Sequence, residues 1–257
     1  MSSIPRTVEA RGRFLERIEG GAEEMAFDAR LVAIGDPLGA AAEQYRMLLF
    51  RLRYLKALRS DIQGGAVVAV TSAVRGEGVS VTAANLALTA ARTRDARVAL
   101  VDCDLRQGAS AQLFGMGPRA GLSEVLTGKV DVGEALGRAA DGQLAVIPAG
   151  KMAGSESASL LASTRFAQTL ALLRTLFDEI YLDVPPALAT ADAQIVARKA
   201  DGIVLVARAN QTPRDQVEAA VRALTGAPVW GVVLNGVDPQ RVPPPLPVVK
   251  GQLASGR

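Results

Sequence analysis

With 257 residues, 49% of them hydrophobic, the chain is long enough to bury the core of one large α/β domain and too apolar for general disorder. Its net charge of +3 is a small, diffuse excess that does not by itself argue for nucleic acid, and the absence of histidine excludes histidine triads and histidine metal sites. The single cysteine, Cys103, cannot close an internal disulfide and reads as a buried, reduced thiol of a cytosolic protein.

No apolar run approaches the roughly 20 residues that span a bilayer. The opening MSSIPRTVEARGRF is charged and lacks the apolar stretch of a secretory signal. Residues 1–29 mix charges with Gly20 and Gly21 and are expected to form a mobile arm, with a short helix near Arg13–Ile18. Asp36-Pro37 marks a turn. From Ala40 to Leu58 the spacing is helical, with Tyr45, Leu48, Leu49, Leu52 and Leu55 on one face.

The next stretch, VVAVTSAVRGEGVSVTAANLA, has three parts. An apolar strand, Ala66 to Val70, leads to a glycine-bearing turn, Thr71 to Gly78. An Ala/Leu-rich helical segment follows, Ala83 to Ala91. Strand, glycine loop and helix is the setting a P-loop requires. Gly76 and Gly78 let the backbone approach a phosphate, and the helix N-terminus offers it unpaired N–H groups. Ser80 stands where a P-loop hydroxyl ligates Mg²⁺. The pattern G-x-x-x-x-G-K-[ST] is broken twice, by Ala73 for the first glycine and by Val79 for the lysine.

Arg97–Val101 is expected as a buried strand, ending in Asp102-Cys103-Asp104. Gly121–Leu136 predicts two short helical turns around Gly128, and Leu144–Pro148 another strand. Beyond a Gly/Ser-rich loop, Leu160–Phe177 has the spacing of one helix. Ile180–Leu182 is a strand that leads into Asp183-Val184-Pro185-Pro186. Then follow helix Ala191–Lys199, strand Gly202–Ala207, helix Pro213–Leu224 and strand Val229–Leu234. This alternation predicts an α/β fold, a doubly wound and mostly parallel sheet of P-loop NTPase type over residues 30–238. Residues 239–257, with Pro243, Pro244, Pro245 and Pro247, predict an extended or disordered tail.

Asp102, Asp104 and Asp183 each follow or end an apolar strand. One such aspartate commonly caps a helix or satisfies loop amides. Three in register with a glycine loop point to a nucleotide site in which a hard cation is held by oxygen ligands. Arg75, Arg106 and Arg208 also fall near predicted strand ends, where a solvated surface position is the alternative to phosphate contact.

The runs TSAVRGEGVS, ALVDCDLRQ, YLDVPP and GVVLN resemble, in that order, the bacterial tyrosine kinases (BY-kinases) of capsule and exopolysaccharide synthesis. These belong to the wider ParA/MinD-type (SIMIBI) P-loop ATPases. The segments EQYRMLLFRLR, GLSEVLTG and LLAS extend the likeness. The resemblance implies ATP or ADP with Mg²⁺ as cofactors. It places Gly76, Glu77, Gly78, Val79 and Ser80 in the Walker A loop. Asp102 and Asp104 fall in the family's second Walker motif, Asp183 in Walker B, and Asn235 faces adenine. By the same likeness, Ser80, Asp102 and Asp183 hold the metal. Glu43 and Arg46 match the start of an E-x-x-R-x-x-R helix that builds the family's ring.

Three departures qualify these expectations. Val79 replaces the phosphate-neutralising lysine, Leu49 replaces the second arginine of the ring motif, and residues 239–257 contain no tyrosine. Only Tyr45, Tyr54 and Tyr181 occur in the sequence. The expectation is a cytoplasmic module at the inner face of the membrane, regulating polysaccharide polymerisation and export through a membrane-spanning copolymerase. It is expected to turn over ATP weakly or not at all and to be a monomer or weak dimer, without nucleic acid. The alternatives are an active tyrosine kinase in which an arginine replaces the lysine, and a ParA/MinD-type positioning ATPase.

Overall fold

The computed structural model describes residues 27–93, 96–139 and 144–238. The expected helix near Arg13–Ile18, nearly all of the expected arm and the whole proline-rich tail lie outside the described residues. Five of the seven strands are β1 (Ala66–Ser72), β2 (Val98–Asp102), β4 (Leu144–Ile147), β5 (Glu179–Asp183) and β6 (Gly202–Arg208). The other two are β3 (Gly137–Ala139) and β7 (Val229–Asn235). Their order in the single sheet is β3-β4-β2-β5-β1-β6-β7. All neighbours run parallel except β3, which lies antiparallel on β4. The alternation of strand and helix therefore forecast a doubly wound sheet correctly. The antiparallel edge strand β3 was not foreseen, because three residues carry no apolar run.

The central strands β1, β2 and β6 carry long apolar runs because both faces of the sheet are covered there, whereas the edge strand β7 is partly exposed. Along β1, Val67 and Ala69 enter one apolar cluster while Val68 and Val70 enter the other. Ala99 and Val101 of β2 alternate with Val98 and Leu100 in the same way, as do Ile203 and Leu205 with Val204 and Val206 of β6.

The short α1 (Val32–Gly35), the long α2 (Ala40–Ala57) and α3 (Val79–Ala91) cover the second face. The buried Asn85 of α3 holds α1 and the residues leading into it, accepting from Ala33 N at 3.0 Å and donating to the Arg30 carbonyl at 2.9 Å. Arg53 fastens α2 to the sheet through Glu179, 2.6 Å away. Next in the chain are α4 (Ser110–Leu113), α5 (Leu122–Thr127) and α6 (Val132–Ala135). The remaining helices are α7 (Ser157–Ala162), α8 (Thr164–Leu176), α9 (Ala191–Ala197) and α10 (Arg214–Ala223).

Two helix expectations need correction. The stretch expected as one helix from Leu160 to Phe177 is two, α7 and α8. Ser163 adopts extended backbone between them, and its hydroxyl accepts from Phe166 N at 3.2 Å, a side-chain N-cap that restarts the helix. Helix α3 starts at Val79, four residues before the expected Ala83, directly from Gly78 in the left-handed region. Among the described residues no helix is long and apolar enough to cross a membrane.

One ion pair fixes the entry to the sheet. Arg174 of α8 grips Asp201 with two N–H groups at 2.7 and 2.9 Å, and Asp201 also accepts from Val67 N at 2.7 Å. Asp201→Ala leaves a half-buried guanidinium and a strand N–H without that acceptor. The expected cost is about 2–3 kcal/mol. A melting curve is expected to show a fall of about 4–12 °C.

Candidate nucleotide site

The register of the sheet sets the site. Val70 lies beside Asp183, and Asp183 lies beside Asp102 on its other side. The carboxyl ends of β1, β2 and β5 thus share one edge, where ligands bind in open α/β sheets. The glycine loop leaves β1 there, while Cys103 N donates to the Asp183 carbonyl at 2.8 Å and locks the neighbouring strand ends. Cys103 itself is fully buried, as its lone occurrence implied.

The loop is a braced structure. Gly76 and Gly78 take φ of +83° and +94°, which a side chain would strain. At Gly78 a Cβ would also collide with the Asn235 amide nitrogen. Glu77 is buried and turns its carboxylate back under the loop, accepting from Val74 N at 2.9 Å and from the Thr212 hydroxyl. Asn235 at the end of β7 donates to the Glu77 carbonyl at 2.8 Å, and Arg208 at the end of β6 donates to the Gly76 carbonyl at 2.9 Å. On the other side the Thr71 hydroxyl donates to the Pro185 carbonyl at 2.7 Å, and Ala187 N donates to the Ser72 carbonyl at 2.8 Å. The first N–H groups of α3 then face the cradle without intrahelical partners.

Each aspartate has a distinct setting. Asp102 is fully buried, and its two oxygens accept from Asp104 N at 3.1 Å, Ser110 N at 3.0 Å and the Ser110 hydroxyl at 2.8 Å. Asp183 is buried with the Ser80 side chain beside it, and that hydroxyl opposes the upward push on its carboxyl. Asp104 closes its own turn, accepting from Arg106 N and Gln107 N at 3.2 and 3.1 Å. Burial first, and the charge of Asp104 after it, push Asp102 up to about 6; burial first, and the charges of Asp102 and Asp104 after it, push Asp183 well above the ordinary carboxylate range.

This donor set suits Mg²⁺ of a particular kind. Among the described residues no three His, Cys, Asp or Glu side chains converge as a metal cage. Mg²⁺ does not need one, because it usually takes one or two carboxylates together with phosphate oxygens and water. Ser80 and Asp183 supply two adjacent hard oxygens, whereas Asp102 has its oxygens committed to the Ser110 turn.

Sequence reasoning brought Gly76, Glu77, Gly78, Val79, Ser80, Asp102, Asp104 and Asp183 to one edge of the sheet, and the structure collects them there. Asn235 stands at the same edge with its amide nitrogen turned onto the loop carbonyl. Thr212, Ser110 and Gln107 were not singled out. The Thr212-Pro213 step before a helix was the available signal for the first; nothing local distinguishes the other two. Val79 is half-buried and packs against the apolar cluster beneath α2 and α3. A cavity of about 330 Å³ lies at the opposite end of α3, lined by Ala33, Pro37, Phe50 and Arg92 among others, and is separate from the loop.

The chain is 33% identical to tyrosine-protein kinase CpsD of Streptococcus agalactiae over 192 residues, 72% of this chain and 83% of CpsD. The chain belongs to the bacterial tyrosine-protein kinases. It is also 32% identical over 211 residues to tyrosine-protein kinase Wzc of Salmonella typhimurium, covering 81% of this chain and 28% of Wzc. The solved kinase domain of Escherichia coli tyrosine kinase ETK superposes with a TM-score of 0.75 at 28% identity, over 86% of this chain and 87% of that domain. Cobyrinic acid a,c-diamide synthase of Mycobacterium smegmatis, solved with an ATP analog and magnesium, shares the fold at a TM-score of 0.57 and 23% identity, over 66% and 72% of the two chains. No protein-family model matches the chain.

The raised carboxyls give a pH signature in metal-free solution. The folded state keeps protons on Asp102 and Asp183 at a pH where the unfolded chain, with ordinary carboxyls near 4, has released them. Stability from this pair is therefore highest below about pH 4 and falls as pH rises towards about 6, by about 1–3 kcal/mol for Asp102. Chemical denaturation in EDTA across pH 4–7 is expected to show this decline, and Asp102→Asn to flatten it. A slope identical in the two proteins would mean that Asp102 titrates normally.

Proposed function

We propose that this kinase-family chain is a nucleotide-binding regulator of capsule or exopolysaccharide synthesis with weak or absent phosphoryl transfer. It works at the cytoplasmic face of the membrane by engaging a membrane-spanning copolymerase. The observation that carries the reading is the contrast between a fully braced glycine loop and an apolar, packed Val79 where the family resemblance calls for lysine. Backbone amides still favour a phosphate there. The lysine's charge-assisted hydrogen bond, worth about 1.5–3 kcal/mol, is missing. Phosphoryl transfer depends on neutralising the terminal phosphate, so turnover suffers more than binding. Ser80 and Asp183 are the residues to hold Mg²⁺, which supplies charge neutralisation to phosphate oxygens.

The substrate side supports the same reading. Tyr181 is buried with its hydroxyl donated to Glu179 at 2.6 Å, and Tyr45 is half-buried against the core, so Tyr54 on α2 is the one well-exposed tyrosine of the three. After incubation with Mg²⁺-ATP, intact-mass spectrometry is expected to show no phosphate adduct. A stoichiometric adduct on Tyr54 would instead favour the active-kinase reading. The partner assignment follows from the family resemblance and from the span of relatives such as Wzc, of which this chain matches 28%.

The ring interface of the family is altered in this chain. Glu43 and Arg46 pair with each other on α2 at 2.5 Å, and Arg46 also donates to the Pro37 carbonyl at 2.7 Å. Leu49 turns inward and is buried. The outer face of α2 carries exposed Met47, Phe50 and Tyr54 instead, continued by Leu58 just past its end. Self-association is accordingly weak and apolar. Light scattering across a concentration series is expected to give a monomer or weak dimer, little changed between low and high salt. A stable, salt-sensitive ring would show that Glu43 and Arg46 exchange their intrahelical partners for a neighbour's.

A further inference from the structure

We propose that Arg75 supplies to the terminal phosphates of a bound nucleotide the positive charge that Val79 cannot, an assignment that rests on the nucleotide-binding reading above. Arg75 stands on the rim of the loop between two anchored neighbours. Val74 N is held by Glu77, and the Gly76 carbonyl is held by Arg208. Its backbone is thereby fixed, and its side chain projects towards the carboxylate edge of the sheet. There Nη1 donates to Gln107 Oε1 at 2.6 Å and stands 3.5 Å from Asp104 Oδ2. The guanidinium thus bridges the loop and the strand-end acids, over the gap in which phosphates held by the loop amides must lie.

The other arginines near this edge are differently engaged. Arg106 forms a fork on the fully buried Asp192, with distances of 2.9 and 3.4 Å. Asp192 is held in turn by the Ser157 hydroxyl at 2.7 Å. Arg208 is bound to the Gly76 carbonyl from the β6–β7 side. Arg75 alone of these three rests on a neutral amide and a long ion pair, with its side chain 45% exposed. A guanidinium has five N–H donors in a planar fork that matches phosphate oxygens, so it can exchange Gln107 for phosphate without giving up Asp104. This places the cation at the γ-phosphate end of the site, and a preference for ATP over ADP follows.

Calorimetric titration of the full chain with Mg²⁺-ATP and with Mg²⁺-ADP tests this in four proteins: unaltered, Arg75→Ala, Val79→Lys and the double variant. Arg75→Ala is expected to weaken ATP binding by about 10-fold or more, and ADP binding by less than about 3-fold. Val79→Lys is expected to restore about 10-fold in ATP affinity to the Arg75→Ala protein yet to add less than about 3-fold to the unaltered chain, because two cations serving one phosphate are not additive. Melting curves establish that each variant is folded; Arg75→Gln replaces Arg75→Ala if the latter is not. Equal ATP affinity with and without Arg75 overturns the assignment while leaving nucleotide binding intact. Failure of the unaltered chain to bind either nucleotide overturns both readings.

Discussion

The buried carboxylate of Glu77 is the interaction on which the site depends. It turns back beneath its own loop and ties Val74 N to Thr212, a residue far along the chain between β6 and α10. With Arg208 and Asn235 gripping the loop carbonyls from β6 and β7, the cradle is shaped from outside. None of these contacts involves the residue at position 79. The loop therefore keeps its glycine-turn conformation with valine at that position. The conformation is set by braces and by two positive-φ glycines, and the lysine's contribution was to the ligand.

A second consequence of the sheet is electrostatic. Parallel pairing of β5 with both β1 and β2 forces Asp102 and Asp183 into adjacent register at a buried edge. Burial there raises the proton affinity of both, and the charge of Asp102 raises that of Asp183 further. Asp102 is stabilised by three donors from the turn that follows it; Asp183 has the Ser80 hydroxyl. The pair is thus differentiated, one member holding a turn in place and the other open to a hard cation.

Much of this was legible in the sequence because the strands that carry it are buried on both faces. Ala66–Val70 and Gly202–Ala207 are apolar without interruption, and the residues after such runs fall on one edge whatever the details of the helices. The break at Ser163 was hidden because the apolar spacing passes through it unchanged; only the capping hydroxyl marks it. Strand β3 was hidden by its brevity. Within the site, the glycines, the aspartates and Ser80 announce themselves by position, and Glu77, Arg208 and Asn235 are named in the sequence without their bracing contacts. That Glu77 braces its own loop is visible only once Thr212, 135 residues later, is known to stand beside it. Ser110 as the anchor of Asp102 belongs to the same class, a function of the turn's closure and not of any local pattern.

The two positions at which the family resemblance calls for a cation and this chain has an aliphatic side chain are not independent. Leu49 lies on α2 and Val79 opens α3, yet both join the apolar cluster that packs these helices on the sheet. Val68 and Val70 of β1, the strand that feeds the loop, belong to the same cluster. A lysine at 79 would reach away from this cluster to phosphate, and an arginine at 49 would have to leave it for solvent or a neighbour. Two aliphatic side chains keep both helices closed on β1 instead. At both positions the aliphatic side chain adds internal packing where a cation would have to reach outward. Buried Leu49 and half-buried Val79 thereby tie α2 and α3 to the same apolar cluster as β1, the strand that feeds the loop.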